Sequence, residues 1–176
     1  LLSRIGHAIV SYEGIDNLLG LIVENTSVAL EAQMGSLLLV DGEKQELEVK
    51  ATWFSNAQGL GFQRMKLGEG VAGWVAREHR PMRGTGSPAA LGLSDGEVTE
   101  GAILCVPLMI RDKALGVVAL LRQDVKQQFT EDDELLVSNI GSQIAVAIEN
   151  YRLNLDIERT CLETIMALAL AVEAKD

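Results

Sequence analysis

The first residues that could do chemistry are glycines. Gly68-Glu69-Gly70-Val71-Ala72-Gly73 spells G-x-G-x-x-G. That spacing cradles a dinucleotide when a buried strand feeds it, a helix leaves it and a ribose-binding acid follows about 20 residues on. Gln63-Arg64-Met65-Lys66 is too polar for such a strand, and Asp95, the acid at the right distance, falls in a glycine-rich stretch. The plainer reading is a tight helix entrance that lets Trp74 pack close. The two cysteines, Cys105 and Cys161, are far apart, with no C-x-x-C and no histidine pair beside them. A disulfide framework or a zinc site is therefore not supported. Cys105 could be a redox thiol or a bilin attachment point, but in an apolar run it reads more simply as a small hydrophobe. His79, beside Arg77 and Arg80, and His7 could each ligate a haem iron; both read more simply as surface residues.

A binding site is easier to argue than a catalytic one. Trp74 offers a flat stacking face, and Arg83 a forked donor for a carboxylate, phosphate or carbonyl. Residues 84–101 contain five glycines, and Leu91, Leu93 and Val98 are their only large apolar side chains. A stretch of that length without periodicity is usually functional or mobile. Trp74 reads equally as core, and Arg83 reads readily as a solvated cation. The expected lining of a ligand chamber is Trp74, Arg83, Leu91, Leu93, Val98 and Cys105.

Composition narrows the partners. The chain has 176 residues, 48% of them apolar, enough for one domain with a real core or one domain plus an appendage. The net charge is −10, and residues 129–176 hold ten acids against three bases. That field would repel a polyanion, so nucleic acid is an unsuitable partner. The longest apolar runs, 103–110 and 165–172, fall well short of the roughly 18 residues of a membrane span. No signal peptide is visible, and a cytoplasmic location is expected.

The elements that must position a site follow from periodicity. Residues 1–10 read as a helix fragment, broken at Tyr12-Glu13-Gly14. Asp16 would cap a second helix with Leu18, Leu19, Ile22, Val23, Ala29 and Leu30 on its apolar face, ended by Gly35. Residues 36–40 and 46–53 read as a hairpin, with Leu47, Val49, Ala51 and Trp53 pointing one way. Residues 70–78 form a short helix stopped by Pro81, and Met82-Arg83 a short strand. Residues 103–110 and 114–121 form a second hairpin.

From Thr130 to Asp176 the chain reads as one helix. Thr130 and Asp133 make a box-like cap, followed by acids that suit the helix dipole. A seam of Val137, Ile144, Ile148, Tyr151, Leu155, Leu162, Ile165, Ala169 and Val172 recurs in steps of three and four, as in a coiled coil. A second row, Leu136, Ile140 and Ala147, should widen the first half against a sheet. The pattern stops in mid-course, as expected of an output rod whose load lies beyond Asp176. The fold class expected is α+β: an antiparallel sheet, the first, second and last helices on one face, the short helix and mobile loop on the other.

Three segments carry a resemblance. GEGVAGWVAREHRPM (68–82), ILCVPLMIRDKALGVVALL (103–121) and FTEDDELLVSNIGSQIAVAIENYRL (129–153) resemble, in order, the helix-and-turn signature, central hairpin and closing helix of GAF domains. The similarity spans roughly residues 2–153. It implies a regulatory fold that binds a small-molecule effector between the sheet and the short helix with its loop. It also implies a homodimer through the N- and C-terminal helices. Phe129, Asp133 and Glu134 match the F-x-x-x-D-E half of the cyclic-nucleotide motif of this family. The N-K half is replaced by Arg122-Gln123, so the lysine–aspartate pair of that motif is not expected. The methionine sulfoxide reductases of this fold use a cysteine set that two distant cysteines do not reproduce. TCLETIMALALAVEAKD (160–176) is similar to the opening helix of HD-GYP domains, which hydrolyse cyclic di-GMP at a metal centre. The division implied is a sensor, 1–153, and a signalling helix, 154–176, leading into a truncated HD-GYP-like domain. The fragment has none of that family's metal-binding histidines, so no catalysis, metal or certain cofactor is expected of it. The alternatives are a dimerisation scaffold without ligand, a cyclic-nucleotide-binding domain and a thiol redox enzyme using Cys105.

Overall fold

A computed structural model describes residues 12–56, 60–61, 64–94 and 98–175. The helix expected over 1–10 and the acid Asp95 lie outside these. The first described element is helix α1, Tyr12–Ala29. It neither breaks at Gly14 nor starts at Asp16. A helical glycine costs about 1 kcal/mol relative to alanine, and burying Ile15 and Leu19 on the same face offsets that. Its inner face is Ile15, Leu19, Val23 and Ser27, spaced by four, while Ala29 is exposed. The helix stops before Gly35. Glu31 takes a left-handed conformation (φ 55°), and Ala32 N–H returns to the Ser27 carbonyl at 2.8 Å.

Gly35 instead belongs to strand β1, Met34–Asp41. It lies under Ser27 and Val23, so α1 approaches the strand where no Cβ stands in the way. β2 (Glu46–Phe54) pairs antiparallel with β1. β4 (Arg64–Lys66) adds to the far edge of β2. After the short helix α2 (Gly70–Glu78) come β5 (Met82–Gly86), β7 (Gly101–Ile110) and β8 (Lys113–Arg122). The six-stranded sheet runs β4-β2-β1-β8-β7-β5, antiparallel throughout. The two-residue strands β3 (Leu60–Gly61) and β6 (Leu93–Ser94) pair separately. Helix α3, Glu131–Lys175, closes the chain with 45 residues.

The sheet separates two apolar layers. α1 and α3 cover one face, over Leu37, Leu104, Val106 and Leu120. α2 and the segment after β5 cover the other, over Leu38, Ile103, Cys105 and Val117. The alternation expected in β2 fails midway. The register steps from Leu37 opposite Ala51 to Leu38 opposite Val49, a bulge at Lys50. Leu47 and Val49 therefore face α2, while Ala51 and Trp53 face α1.

The cap of α3 is a reciprocal box. Thr130 N–H donates to Asp133 Oδ2 at 2.8 Å, and Asp133 N–H to Thr130 Oγ1 at 3.2 Å. Val137, Ile144, Ile148 and Tyr151 of the seam are buried on the sheet. Of the second row, Ile140 packs against the core as expected, and Leu136 does not. Leu136 is largely exposed, and Gly141 and Ala145 take its place on the sheet. Gly141 sits over Leu108 and Pro107, where a Cβ would come within 3.3 Å of the Leu108 side chain. Beyond Leu155 the helix leaves the sheet, and Ile157, Leu162, Ile165, Met166 and Leu168 are all more than 60% exposed.

Candidate functional site

The space between the sheet and α2, where a ligand chamber was expected, is a packed apolar layer built from both hairpins. Its floor is alternate residues of β1, β7 and β8, among them Leu38, Cys105 and Val117. Its roof is Ala72, Val75 and Ala76 of α2, with Leu91 and Leu93 from the following segment. That segment is more ordered than a plain loop. Pro88–Leu91 form a 3-10 turn capped by Ser87, and Gly92 adopts φ 75°. Ser36 Oγ, fully buried on the floor, donates to the Leu91 carbonyl at 2.9 Å and ties the turn to β1.

The glycine motif is used for close packing. A Cβ on Gly73 would lie 2.7 Å from the Lys66 carbonyl, and Gly68 N–H donates to Gly73 O at 3.0 Å. Gly70, at φ 64°, lies against Ala90 of the 3-10 turn. Neighbouring backbone thus packs directly on Gly70 and Gly73, and the strand before the motif is a three-residue edge strand. These features oppose a dinucleotide site. His79 closes α2 in a left-handed conformation, its N–H reaching Val75 O, with its side chain exposed.

Of the expected lining residues, Leu91, Leu93 and Cys105 are fully buried in this layer, and Trp74 and Val98 are partly buried against it. Burial pushes the Cys105 thiol far above its ordinary pKa, so it stays protonated. Arg83 is elsewhere. Met82 pairs with Cys105 and faces the α2-side layer, so Arg83, one residue on, pairs with Leu104 and faces α3. Its Nε meets Glu134 Oε1 at 3.2 Å and its Nη1 donates to the Phe129 carbonyl at 3.0 Å. It grips the start of the long helix.

A second arginine shares that task, and sequence reasoning missed it. Arg122 ends β8, where a lysine was expected to be lacking, and a cation pairs with the aspartate after all. The closest Arg122–Asp133 approach is 3.6 Å, from Nη2 to Oδ2. The guanidinium also donates to the Leu30 carbonyl from Nη2 (2.7 Å) and Nε (3.0 Å), and lies 4.1 Å from the Phe129 ring centroid. The signal was present: an arginine leaving a strand seven residues before a phenylalanine and a capping acid. Among the described residues no group of three or more His, Cys, Asp or Glu could hold a metal ion. No helix among them is long and apolar enough to cross a membrane.

The fold is a six-stranded antiparallel sheet with a long closing helix. A family model for the GAF domain matches residues 15–150, and the chain belongs to that family. Solved structures agree. The GAF domain of a phosphoenolpyruvate-protein phosphotransferase from Acinetobacter is 23% identical with a TM-score of 0.66, covering 88% of this chain and 94% of its own. The free methionine-R-sulfoxide reductase of Neisseria meningitidis, solved with its substrate, is 19% identical at TM-score 0.66, covering 87% and 89%. The second GAF domain of DevS from Mycobacterium smegmatis is 17% identical at TM-score 0.59, covering 82% and 97%.

Proposed function

We propose that the chain is a regulatory module that binds a small-molecule effector in the α2-side chamber and passes the change to α3. Trp74, Leu91, Leu93, Val98 and Cys105 are its ligand-facing residues. The observation that carries the reading is the double face of β7. Ile103 and Cys105 lie in the α2-side layer, while Leu104, Val106 and Leu108 lie in the layer that α3 covers. Displacing one set must disturb the other, since packed layers deform little independently. Arg83 adds a polar link to the same helix. Signalling also requires a ligand of different affinity for two arrangements of α3.

The reading extends to the exposed end of α3. Its apolar side chains fit a parallel helix pair in a homodimer. The likeness of residues 160–176 to an HD-GYP opening helix makes a cyclic di-GMP phosphodiesterase the output. The test is a thermal-shift screen of metabolites, cyclic nucleotides included, with light scattering for the dimer. A ligand at a hundredfold its Kd adds about 2.7 kcal/mol. Arg83→Ala should leave that shift intact while weakening any ligand-induced change in α3. Blank screens with nothing co-purifying would overturn sensing, and a monomer at all concentrations would overturn the paired rod.

A scaffold without ligand is the second reading, and one observation favours it. Leu91 and Leu93 are both fully buried against the sheet, filling space a ligand would take. Redox catalysis by Cys105 is opposed by its burial and protonation.

A further inference from the structure

The helix-covered face holds a cleft, remote from the α2-side layer. It measures 220 Å³ and lies between α1, the β1–β2 edge and α3, at the point where α3 parts from the sheet. Ile15, Leu19, Leu39, Ile148 and Leu155 make its walls apolar. Two cations line it as well, Lys50 and Arg152, and both also line an adjoining surface hollow of 510 Å³. Alternation after Leu47 and Val49 brings Lys50 to the helix side, and the bulge then turns Ala51 to that side as well. The Lys50 Nζ holds Glu48 at 3.2 Å, whereas Arg152 has no ion-pair partner among the described residues.

The charge layout selects a ligand class. Glu48 already holds Lys50, and Asp16 shares the lining, so Arg152 is the cation left to meet a ligand's charge. The outer hollow adds Asp41, Glu43 and Glu48, which would repel a second or third negative charge. A monoanion is accommodated and a polyanion is not. The volume corresponds to about seven waters at roughly 30 Å³ each, too small for a lipid and enough for a short branched acid. Arginine supplies a fork that matches a carboxylate. We propose that this cleft binds a small apolar monocarboxylate, its carboxylate held by Arg152 and its alkyl part against Leu19, Ile148 and Leu155. Tyr151, Arg152 and Leu155 form the last turn of α3 in contact with the domain, so the ligand would fasten that turn to α1.

The probe is 4-methylpentanoate, titrated into the full chain by calorimetry and followed by methyl NMR. Saturable binding is expected, with shifts at Leu19, Leu39, Ile148 and Leu155 and none at Leu91 and Leu93. Arg152→Met should weaken it about tenfold or more, the loss of one charged hydrogen bond, without lowering the melting temperature of the free protein. The corresponding alcohol should bind far more weakly. No saturation, equal affinity for the alcohol, unchanged affinity in Arg152→Met, or shifts confined to Leu91 and Leu93 would overturn the proposal. Inorganic phosphate competing for the site, or leucine binding as tightly, would overturn the monocarboxylate assignment. None of these outcomes bears on the chamber, whose screen reads different methyls.

Discussion

Removing the Arg122 side chain should destabilise the domain out of proportion to a surface charge. Its side chain is 13% exposed and closes the junction of α1, β8 and α3. Two of its N–H groups, on Nη2 and Nε, share the Leu30 carbonyl, at 2.7 and 3.0 Å. Charged hydrogen bonds contribute about 1.5–3 kcal/mol, and two on one acceptor do not add fully, so about 2 kcal/mol is assigned here. The Nη1 bonds to Gln127 O and Gln128 O, both 3.2 Å, are exposed and add less than 1 kcal/mol or so. The cation over Phe129 adds about 0.5–1 kcal/mol, and the 3.6 Å pair with Asp133 at most about 1 kcal/mol. Arg122→Ala should therefore lower the free energy of unfolding by roughly 3 kcal/mol, read from urea denaturation with an unchanged m-value. Arg122→Lys keeps the charge near Asp133 and Phe129 but loses the fork, so it should lose about half as much. A loss below about 1 kcal/mol for the alanine variant, or equal losses for alanine and lysine, would refute the clasp as drawn.

Gly73→Ala should lower the melting temperature although alanine is the better helix former, because its Cβ would stand 2.7 Å from Lys66 O and 2.9 Å from Gly68 N. Overpacking of that kind costs about 1–3 kcal/mol, and an unchanged or raised melting temperature would contradict the packing described. Ser36→Ala should cost about 1–3 kcal/mol by stranding the buried Leu91 carbonyl; chemical denaturation checks it, and a neutral result would show that the turn is held otherwise. Cys105 should resist iodoacetamide in the folded chain while the exposed Cys161 reacts, which mass spectrometry of the labelled peptides decides. Because the folded thiol titrates above its unfolded value of 9.0, the stability linked to it is intact below that pH. As pH rises further the unfolded state ionises first, and stability falls by up to about 1.4 kcal/mol per unit. Unfolding midpoints at pH 8 and 10, compared with those of Cys105→Ala, isolate this slope, and an identical slope in the variant would remove its cause.

Several elements were legible in the sequence for a local reason. Both main hairpins, the short helix and the capping box follow from period, turn residues and charge that neighbours in sequence share. Three segments in order were enough for the family, and the family model over residues 15–150 agrees. Helix α1 was misread because Gly14 and Asp16 are locally good punctuation, while burial of Ile15 outweighs them. Leu136 was misread because helical spacing yields two candidate rows, and only the sheet beneath selects Gly141 and Ala145. Leu91, Leu93 and Cys105 share one apolar layer, as their types suggest, but the face of Arg83 was not legible. A two-residue period assigns it a face only once its register against Leu104 is known.

By itself, then, the amino-acid order determined which segments bend, which extend and where the long helix starts, since propensity and capping act over a few residues. What only the tertiary structure decided is which side of the sheet each side chain serves. One extra residue at Lys50 reverses β2 in mid-strand, and one register step turns Arg83 from the α2 side to the α3 side. Those choices are made by pairing between residues far apart in the chain, which no local pattern encodes.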